Sequence, residues 1–196
     1  MTDASDLRAR ILASRDTLTP TEILDKSRAI QHNLAGIDAL QGCQTIFAYV
    51  SFRSEVDTTA IIDELLASGR RVAVPVTRVK EKRLDVITIT SRAADLVPGY
   101  RGIPEPRADL WQTRQVAAEE IEAILLPGSV FDRRCGRFGY GGGYYDRFLA
   151  QNPKALRIGL AFDLQVVERA PLAAHDQLLD MVVTESGVIA ATRQVA

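Results

Sequence analysis

Residues 45–76 read TIFAYVSFRSEVDTTAIIDELLASGRRVAVPV, and this stretch decides the fold. Two apolar runs rich in β-branched residues, 45–50 and 71–76, indicate buried strands. Between them, Asp57 can cap a helix that stops at Gly69. A strand, a helix and a second strand in this order form a right-handed βαβ unit with parallel strands. The stretch therefore predicts an α/β protein.

The segments on either side extend this pattern. On the amino side, Leu7 and Ile11 predict an amphipathic helix, and Thr19 and Glu22 form the capping box of a second helix. On the carboxyl side, Gly187 predicts the turn of a terminal hairpin. Further strands are predicted at residues 84–89, 121–126, 156–162 and 181–184, the first of them as an edge strand or a half-exposed strand. The sequence thus predicts a three-layer α/β/α sandwich around a mostly parallel mixed sheet.

The composition predicts one domain spanning residues 1–196. With 46% hydrophobic and 25% charged residues, the chain is long enough to bury a single core. A net charge of −1 with dispersed basic residues disfavours nucleic acid as a partner. No apolar run approaches the roughly 18 residues of a spanning helix, and the first residues lack a secretory pattern, so we expect no membrane partner and a cytoplasmic location. Cys43 and Cys135 are too few for a disulfide scaffold and lack the spacing of metal ligands, and His175 is solitary. We expect the protein to be a monomer.

A glycine-rich loop at residues 136–143 is the strongest functional feature. Five of its eight residues are glycine, an aromatic helix start follows directly, and three arginines flank or enter it: Arg133, Arg134 and Arg137. Bare backbone lets an anion approach closely, and the N–H groups and dipole of a helix start attract it. The loop also follows the apolar run 123–126, as expected of a ligand site at the carboxyl end of a strand. It predicts phosphate binding, with a mobile turn as the plainer alternative.

The sequence around this loop resembles a known family. Residues 126–146, LPGSVFDRRCGRFGYGGGYYD, resemble the signature of the 5-formyltetrahydrofolate cyclo-ligases, also called 5,10-methenyltetrahydrofolate synthetases. The resemblance continues upstream in residues 49–58 and 102–106, and downstream in residues 158–165 and 175–184. It therefore extends over nearly the full chain.

The resemblance implies an enzyme that closes a ring at the expense of ATP. The implied reaction converts 5-formyltetrahydrofolate to 5,10-methenyltetrahydrofolate, with release of ADP and phosphate, through a phosphorylated formyl group (an iminium phosphate). Its implied cofactor is Mg²⁺, its co-substrate is ATP, and its partners are small molecules. Phosphoryl transfer of this kind needs positioning and charge neutralisation rather than a protein nucleophile, so Cys135 is taken as incidental.

The resemblance also implies site residues. Implied catalytic residues are Arg137, Tyr144 and Asp146. Implied Mg²⁺ ligands are Asp146 and Asp180. The implied ATP site comprises Arg8, Arg137, Phe138, Gly139, Tyr140, Gly141, Gly142, Gly143, Tyr144 and Tyr145. The implied folate site comprises Val50, Glu55, Tyr140, Gly141, Gly142, Gly143 and Tyr144. A carboxylate such as Glu55 matches the amino and ring N–H donors of a pterin.

Two positions depart from the family pattern. Ala4 stands where the family has a lysine that touches ATP, and Arg10 or Arg15 could replace that contact. Gly142 stands where some members carry a lysine. Residues 96–113, rich in proline and glycine, predict a long ordered loop, in which Trp111 either contacts the pterin or packs in the core.

Plainer roles exist for the acids. Glu55 and Asp57 could simply stabilise a helix start, and we retain the capping role for Asp57. Asp146 could pair with a neighbour on its helix or face solvent, and Asp180 alone would be a surface acid. Two rival functions also remain open: a non-catalytic nucleotide- or folate-binding protein on the same fold, and a sugar-phosphate isomerase whose glycine loop holds a substrate phosphate.

Overall fold

The computed structural model describes residues 4–172 and 176–191, so His175 lies outside the described residues. The α-helices are α1 (Ala4–Asp16), α2 (Pro20–Ala35), α3 (Asp38–Gln41), α4 (Thr59–Ala67), α5 (Arg92–Asp95) and α6 (Tyr144–Gln151). The strands are β1 (Thr45–Ala48), β2 (Arg71–Arg78), β3 (Arg83–Ile89), β4 (Leu96–Pro98), β5 (Pro104–Pro106), β6 (Ala123–Leu126), β7 (Val130–Asp132), β8 (Arg137–Phe138), β9 (Leu156–Leu160), β10 (Val166–Val167), β11 (Met181–Thr184) and β12 (Gly187–Ala190). Among the described helices, none is long and apolar enough to cross a membrane.

The central sheet has seven strands in the order β12-β11-β9-β6-β1-β2-β3. The five inner strands are parallel, and β3 and β12 run antiparallel at the two edges. The edge position predicted for residues 84–89 and the terminal hairpin at Gly187 are both confirmed. The predicted α/β class with a mostly parallel mixed sheet is therefore confirmed.

The βαβ unit of residues 45–76 forms as predicted, with Thr45 of β1 in register with Arg71 of β2. Gly69 has a φ of 78°, and the N–H of the next residue, Arg70, donates to the carbonyl of Leu65, so α4 ends in a glycine-dependent turn. Asp57 Oδ1 accepts from the N–H of Thr59 at 2.8 Å, which caps the first helical residue.

Strand β1 ends at Ala48, two residues before the predicted end. The reason is a side-chain contact: the Thr58 hydroxyl donates to the Tyr49 carbonyl at 2.9 Å and accepts from the Ser51 N–H at 3.0 Å. These bonds replace a strand partner and turn the chain into the loop that precedes α4.

Side chains from alternate strand positions pack two layers against the sheet. On one face, Ile46, Val72 and Leu125 are buried under α2, α3 and α4. On the other face, Phe47 and Ile124 are buried under α6 and the hairpin of β7 and β8. The predicted capping box of α2 is present, with Thr19 and Glu22 bonded to each other's backbone.

The predicted direct passage from strand to glycine loop to helix is wrong in one respect. Between β6 and α6 the chain forms the hairpin of β7 and β8, which belongs to a small sheet of order β10-β7-β8. Buried Asp132 holds the hairpin turn by accepting from the N–H groups of Arg134 and Gly136. Helix α1 packs on this small sheet, where Ile11 contacts Val130. The loop that follows is therefore fixed from several sides.

The long loop at residues 96–113 is ordered, as predicted, and contains the short β4–β5 hairpin. Glu105, which is 8% exposed, accepts from the N–H of Thr77 at 2.9 Å and ties the hairpin to β2. Trp111 donates to the Pro106 carbonyl at 2.8 Å, and the Arg78 guanidinium lies 4.1 Å above its ring. Of the two predicted roles for Trp111, packing is the one observed.

Candidate active site

Most of the predicted site residues lie near the carboxyl ends of β1 and β6. The loop after β1 carries Val50 and Glu55, and the loop after β6 begins at Pro127. The glycine loop is attached to the loop after β6 through the Ser129 hydroxyl, whose single hydrogen is shared between the carbonyls of Phe138 at 2.7 Å and Gly139 at 3.0 Å. Ligands of open α/β sheets bind at this end of the strands.

Three alternate glycines of the loop each lie against a guanidinium group. A Cβ at Gly139 would stand 2.8 Å from Nη1 of Arg137, one at Gly141 would stand 3.4 Å from Nη1 of Arg8, and one at Gly143 would stand 2.9 Å from Nη1 of Arg147. Gly141 and Gly143 also have positive φ, 89° and 64°, which side chains disfavour. The loop thus needs glycine both for its backbone conformation and for contact with three cations.

Arg137 sits at the centre of this arrangement and is 3% exposed. Its Nη2 donates to Oδ1 of Asp146 at 2.9 Å, its Nη1 donates to the Pro127 carbonyl at 3.4 Å, and its guanidinium lies 5.4 Å from the centre of the Tyr145 ring. A buried guanidinium is stable when its donors are satisfied, and the bond to Asp146 satisfies one of them. The same bond joins β8, at the start of the glycine loop, to α6, which follows the loop.

Some donors at the loop have no partner within the protein. Within residues 4–172 and 176–191, the buried side-chain N and O atoms without a hydrogen bond are Nε of Arg8, Nε of Arg137 and Oδ1 of Asn152. Two of these belong to the arginines beside the glycines, and Arg8 also covers the ring of Phe138 at 4.2 Å. Buried donors left unpaired indicate a missing acceptor, and phosphate oxygens are suitable acceptors for arginine.

A second cluster joins the glycine loop to the loop after β1. The Tyr140 hydroxyl donates to Oε1 of Glu55 at 2.7 Å and accepts from Nη1 of Arg15 at 2.9 Å. The Phe52 N–H donates to Oε2 of Glu55 at 3.0 Å. The sequence offered Arg10 or Arg15 as a replacement for the ATP contact missing at Ala4. The structure places Arg15 in this second cluster and leaves Arg10 exposed, so the replacement of that ATP contact stays a prediction.

Burial shifts the ionisation of this cluster. Burial raises the pKa of Glu55, although the hydrogen bonds from Tyr140 and Phe52 and the charge of Arg15 oppose the shift. Burial and the nearby Glu55 carboxylate also raise the pKa values of Tyr49, Tyr140 and Tyr145, so these phenols remain neutral. A half-buried carboxylate among phenols is suited to binding a neutral ligand with paired N–H donors.

The other predicted site residues occupy different positions around the loop. The guanidinium of Arg147 lies 5.7 Å from the centre of the Tyr144 ring. The ring also packs against Gly142, where an added Cβ would stand 2.8 Å from it. The ring of Tyr145 lies between the core, 6.4 Å from the Phe47 ring, and the guanidinium of Arg137 in the glycine loop. Val50 is half-buried beside the core cluster at the end of β1.

The structure does not bring Asp180 into this cluster. Asp180 precedes β11, and its Oδ2 accepts from the Arg157 N–H at 2.9 Å, at the amino end of the parallel pair β9 and β11. Asp146 lies in the first turn of α6 beside Arg137. No group of three or more His, Cys, Asp or Glu side chains that could hold a metal occurs in the described part of the chain.

Sequence analysis gave no site role to three residues that build the site. Ser54 bonds to Arg15, Gln165 donates to the Gly128 carbonyl at 2.8 Å, and Asp132 holds the hairpin before the loop. Ser54 and Gln165 carried no periodic signal because both lie outside the strands and α-helices. Asp132 did carry a signal, because an aspartate inside an apolar strand is buried only when hydrogen-bond donors satisfy its carboxylate.

The fold and the site together define a class: an α/β protein with an arginine-lined glycine loop and a half-buried carboxylate at the carboxyl edge of its sheet. A family model described as the 5-formyltetrahydrofolate cyclo-ligase family matches residues 1–185. The chain belongs to this family, and it is therefore an enzyme of the ligase class.

Individual relatives agree with this assignment. The chain is 30% identical over 213 residues to the mitochondrial 5-formyltetrahydrofolate cyclo-ligase of Arabidopsis thaliana, with 95% of this chain and 75% of that protein covered. It is 29% identical over 176 residues to the 5-formyltetrahydrofolate cyclo-ligase of Escherichia coli K12, with 89% of this chain and 96% of that protein covered. It matches the NMR structure of Aquifex aeolicus 5,10-methenyltetrahydrofolate synthetase with a TM-score of 0.85 and 30% identity, covering 98% of this chain and 95% of that one.

Proposed function

We propose that this protein cyclises 5-formyltetrahydrofolate to 5,10-methenyltetrahydrofolate and hydrolyses ATP to ADP and phosphate in the process. Family membership supports the substrate and the product. The observation that carries the ATP requirement is the set of three guanidinium groups against Gly139, Gly141 and Gly143. We further propose that the protein works in the cytoplasm, where ATP is abundant.

The reaction has two steps, a phosphoryl transfer and a ring closure, and neither involves oxidation or reduction. In the first step, the formyl oxygen attacks the γ-phosphorus of ATP, the bond from that phosphorus to the bridging oxygen breaks, and ADP leaves. The product is an iminium phosphate on N5. In the second step, N10 attacks the iminium carbon, the carbon–oxygen bond breaks, and phosphate leaves with the former formyl oxygen while N10 loses its proton to solvent. No residue forms a covalent bond in either step.

We assign the glycine loop and its arginines to the triphosphate. The backbone N–H groups of residues 139–143 and the start of α6 provide neutral donors, while Arg8, Arg137 and Arg147 provide charge. Arginine suits this task because its fork of donors matches phosphate oxygens. Positioning and charge neutralisation account for most of catalysis in phosphoryl transfer. Within this assignment, Arg137 acts on the transferred phosphoryl group and Tyr144 covers the folate.

We assign Glu55 to the pterin, together with Val50 and the part of the glycine loop near Tyr140. Both carboxylate oxygens of Glu55 already accept hydrogen bonds, so the group is oriented before a ligand arrives. A pterin presents adjacent N–H donors that match such a carboxylate. The Tyr140 bond would place N5 of the folate next to the loop that holds the γ-phosphate, which is what direct transfer requires.

Asp146 fits the role of a Mg²⁺ ligand. Its carboxylate, 20% exposed, stands in the first turn of α6, and a hard cation that travels with ATP needs only one or two carboxylates besides phosphate oxygens and water. Mg²⁺ there would neutralise charge on the phosphates. Asp180 stays a proposed second ligand on the family resemblance alone, because it lies at the amino end of β11, whereas the glycine loop lies at the carboxyl ends of β1 and β6.

The direct test is an assay with purified protein, 5-formyltetrahydrofolate, ATP and Mg²⁺. Growth of the methenyl absorbance in the near ultraviolet, with one ADP released per product formed, is the expected result. Each of the three components should be required. Nucleotide binding without product would make the protein a non-catalytic binding protein, and turnover without ATP would contradict the proposed reaction.

A further inference from the structure

Arg15 is buried at a point where three parts of the chain meet. The residue lies near the end of α1 and is 4% exposed. Its Nε donates to Ser54 Oγ at 3.1 Å, its Nη1 donates to Tyr140 Oη at 2.9 Å, and Nη1 also reaches the Gly128 carbonyl at 3.5 Å. Burying a guanidinium is unfavourable unless such bonds are made. The position therefore serves something beyond packing of α1.

The bond from Arg15 fixes the direction of the bond to Glu55. A guanidinium has donors and no acceptor, so the Tyr140 oxygen must accept from Arg15. The single phenolic hydrogen of Tyr140 is then left to donate to Oε1 of Glu55 at 2.7 Å. The resulting chain runs in one direction, from the cation through the phenol to the carboxylate.

A second connection holds the loop that carries Glu55. The Ser54 hydroxyl accepts from Arg15 and donates to Oδ1 of Asp16, the next residue of α1. The residue before the carboxylate is thus attached to the last turn of the helix, and Phe52 fixes Oε2 from the other side. Helix α1 therefore controls both the position and the orientation of Glu55.

We propose that Arg15 is a positioning residue for the folate-binding carboxylate of Glu55, acting through Tyr140 and Ser54; this inference rests on the proposed function. Arg15 itself does not touch the folate. It holds Glu55 ionised and oriented, so that the pterin N–H donors meet a carboxylate already in place. The effect of Arg15 is therefore specific to folate and leaves nucleotide binding unchanged.

The charged and titratable groups around Glu55 define what a variant should change. Arg15 and Asp16 face this region from α1, Tyr140 faces Glu55 from the glycine loop, Tyr49 lies at the end of β1, and Tyr145 lies on α6. Burial raises the pKa of Glu55, and the charge of Arg15 opposes that shift. Removing Arg15 should therefore move the titration of Glu55 to higher pH.

The test uses the variants Arg15→Met, Arg15→Lys and Tyr140→Phe, with Arg28→Met as a matched control on an exposed face of α2. The first readout needs no substrate: ¹³C NMR of glutamate carboxyl groups in the protein alone, with the Glu55 signal assigned from Glu55→Gln. We expect Glu55 to titrate at higher pH in Arg15→Met and in Tyr140→Phe. The double variant should shift further than either single variant but by less than the sum of the two, because Arg15 acts partly through the Tyr140 bond to Glu55. Arg28→Met should titrate as the wild type does.

The second readout is steady-state kinetics. In Arg15→Met, KM for 5-formyltetrahydrofolate should rise about tenfold, the effect of losing one charge-assisted hydrogen bond, while KM for ATP stays within about twofold. Arg15→Lys keeps the charge and loses the fork, so its Glu55 titration should stay close to wild type while its KM for folate still rises.

The outcomes separate this proposal from the proposed function. A wild-type protein that fails to turn over folate would refute the function, yet the NMR titration would still show whether Arg15 controls Glu55. An unchanged Glu55 titration in folded Arg15→Met would overturn the positioning role, whatever Tyr140→Phe shows. If Arg15→Met does not fold, an unchanged titration in Tyr140→Phe overturns it alone. Equal rises in KM for folate and for ATP would overturn it as well.

Discussion

Arg137 and Asp146, nine residues apart, form an ion pair of 2.9 Å that connects the two ends of the glycine loop. The pair fixes the strand before the loop against the helix after it, and the loop between them carries glycines in contact with three guanidinium groups. Because Oδ1 of Asp146 is the atom that pairs with Arg137, one carboxylate can both orient the buried cation and offer an oxygen to a metal ion.

Asp146→Asn should raise the Mg²⁺ concentration needed for half-maximal turnover by roughly tenfold or more. An amide is a weaker ligand for a hard cation than a carboxylate, and it also leaves Arg137 without its counter-charge. The measurement is a Mg²⁺ titration of the cyclisation rate at fixed ATP. Asp63→Asn, which removes an exposed ion pair with Arg92 on another surface, is the matched control. Unchanged Mg²⁺ dependence would remove Asp146 from the metal site.

Gly141→Ala should lower turnover far more than its loss of stability explains. Gly141 has a φ of 89°, so a side chain there costs about 1–2 kcal/mol in backbone strain, and its Cβ would stand 3.4 Å from Arg8. Gly69→Ala is a close control, because Gly69 has a φ of 78° and a Cβ added there would meet no atom within 4 Å. Both variants should lose similar stability in urea unfolding, and only Gly141→Ala should lose ATP affinity by calorimetry. Equal ATP affinities would contradict the assignment of the loop.

Glu55→Gln should weaken folate binding and remove its pH dependence. Burial raises the pKa of Glu55 above the ordinary 4.5, so in the wild type folate affinity should fall as pH drops through that raised value. The raised pKa of Glu55 affects folding stability in the opposite direction to folate affinity. A raised pKa contributes stability that is complete below the ordinary value and is lost as pH rises through the folded value, so Glu55→Gln should be at least as stable as the wild type at neutral pH. Calorimetric titration with folate at several values from pH 5 to pH 8, a span of about three pH units, measures the folate affinity and its dependence on pH. A pH-dependent affinity retained by the variant would exclude Glu55 as the titrating group.

Asp132→Asn should destabilise the protein and make its stability less dependent on pH. Burial alone would raise the pKa of Asp132, but hydrogen bonds from Ala170, Arg134 and Gly136 hold it below its ordinary value. Such a group contributes stability above its unfolded pKa that is lost as pH falls through the folded value. We expect a loss of about 2 kcal/mol at neutral pH, which shrinks in acid.

Urea unfolding at pH 7 and near pH 3, on either side of the ordinary range of an aspartate, measures this difference. The exposed Asp25→Asn serves as the control and should change little. A destabilisation of Asp132→Asn that stays constant with pH would show that its charge plays no part in holding the hairpin.

The central sheet could be predicted from the sequence because each inner strand is a short apolar run buried on both faces. The β7–β8 hairpin could not, because strands of three and two residues are too short to show a period. Its position depends on Asp132, whose bond to Ala170 spans 38 residues. Short-range patterns carry no information about such a contact.

The candidate site shows the same division. The glycine loop and Glu55 were identified through their motifs, and the structure brings Glu55 and Tyr140 together. The contact of Arg15 with Tyr140 spans 125 residues, so the sequence did not predict it and offered Arg15 only as one of two candidates for an ATP contact. The family resemblance assigned Asp180 to the metal site, but the structure places it beside Arg157. That position depends on the register of β9 and β11, which a sequence motif does not contain.

The most direct test of the proposed site is a crystal structure of this protein with a non-hydrolysable ATP analogue, Mg²⁺ and 5-formyltetrahydrofolate. We predict that the terminal phosphate contacts the backbone of residues 139–143 and the guanidinium of Arg137, with the formyl oxygen in line and the pterin on Glu55. A triphosphate bound elsewhere, with the glycine loop and its arginines unchanged and without contact to it, would contradict the assignment.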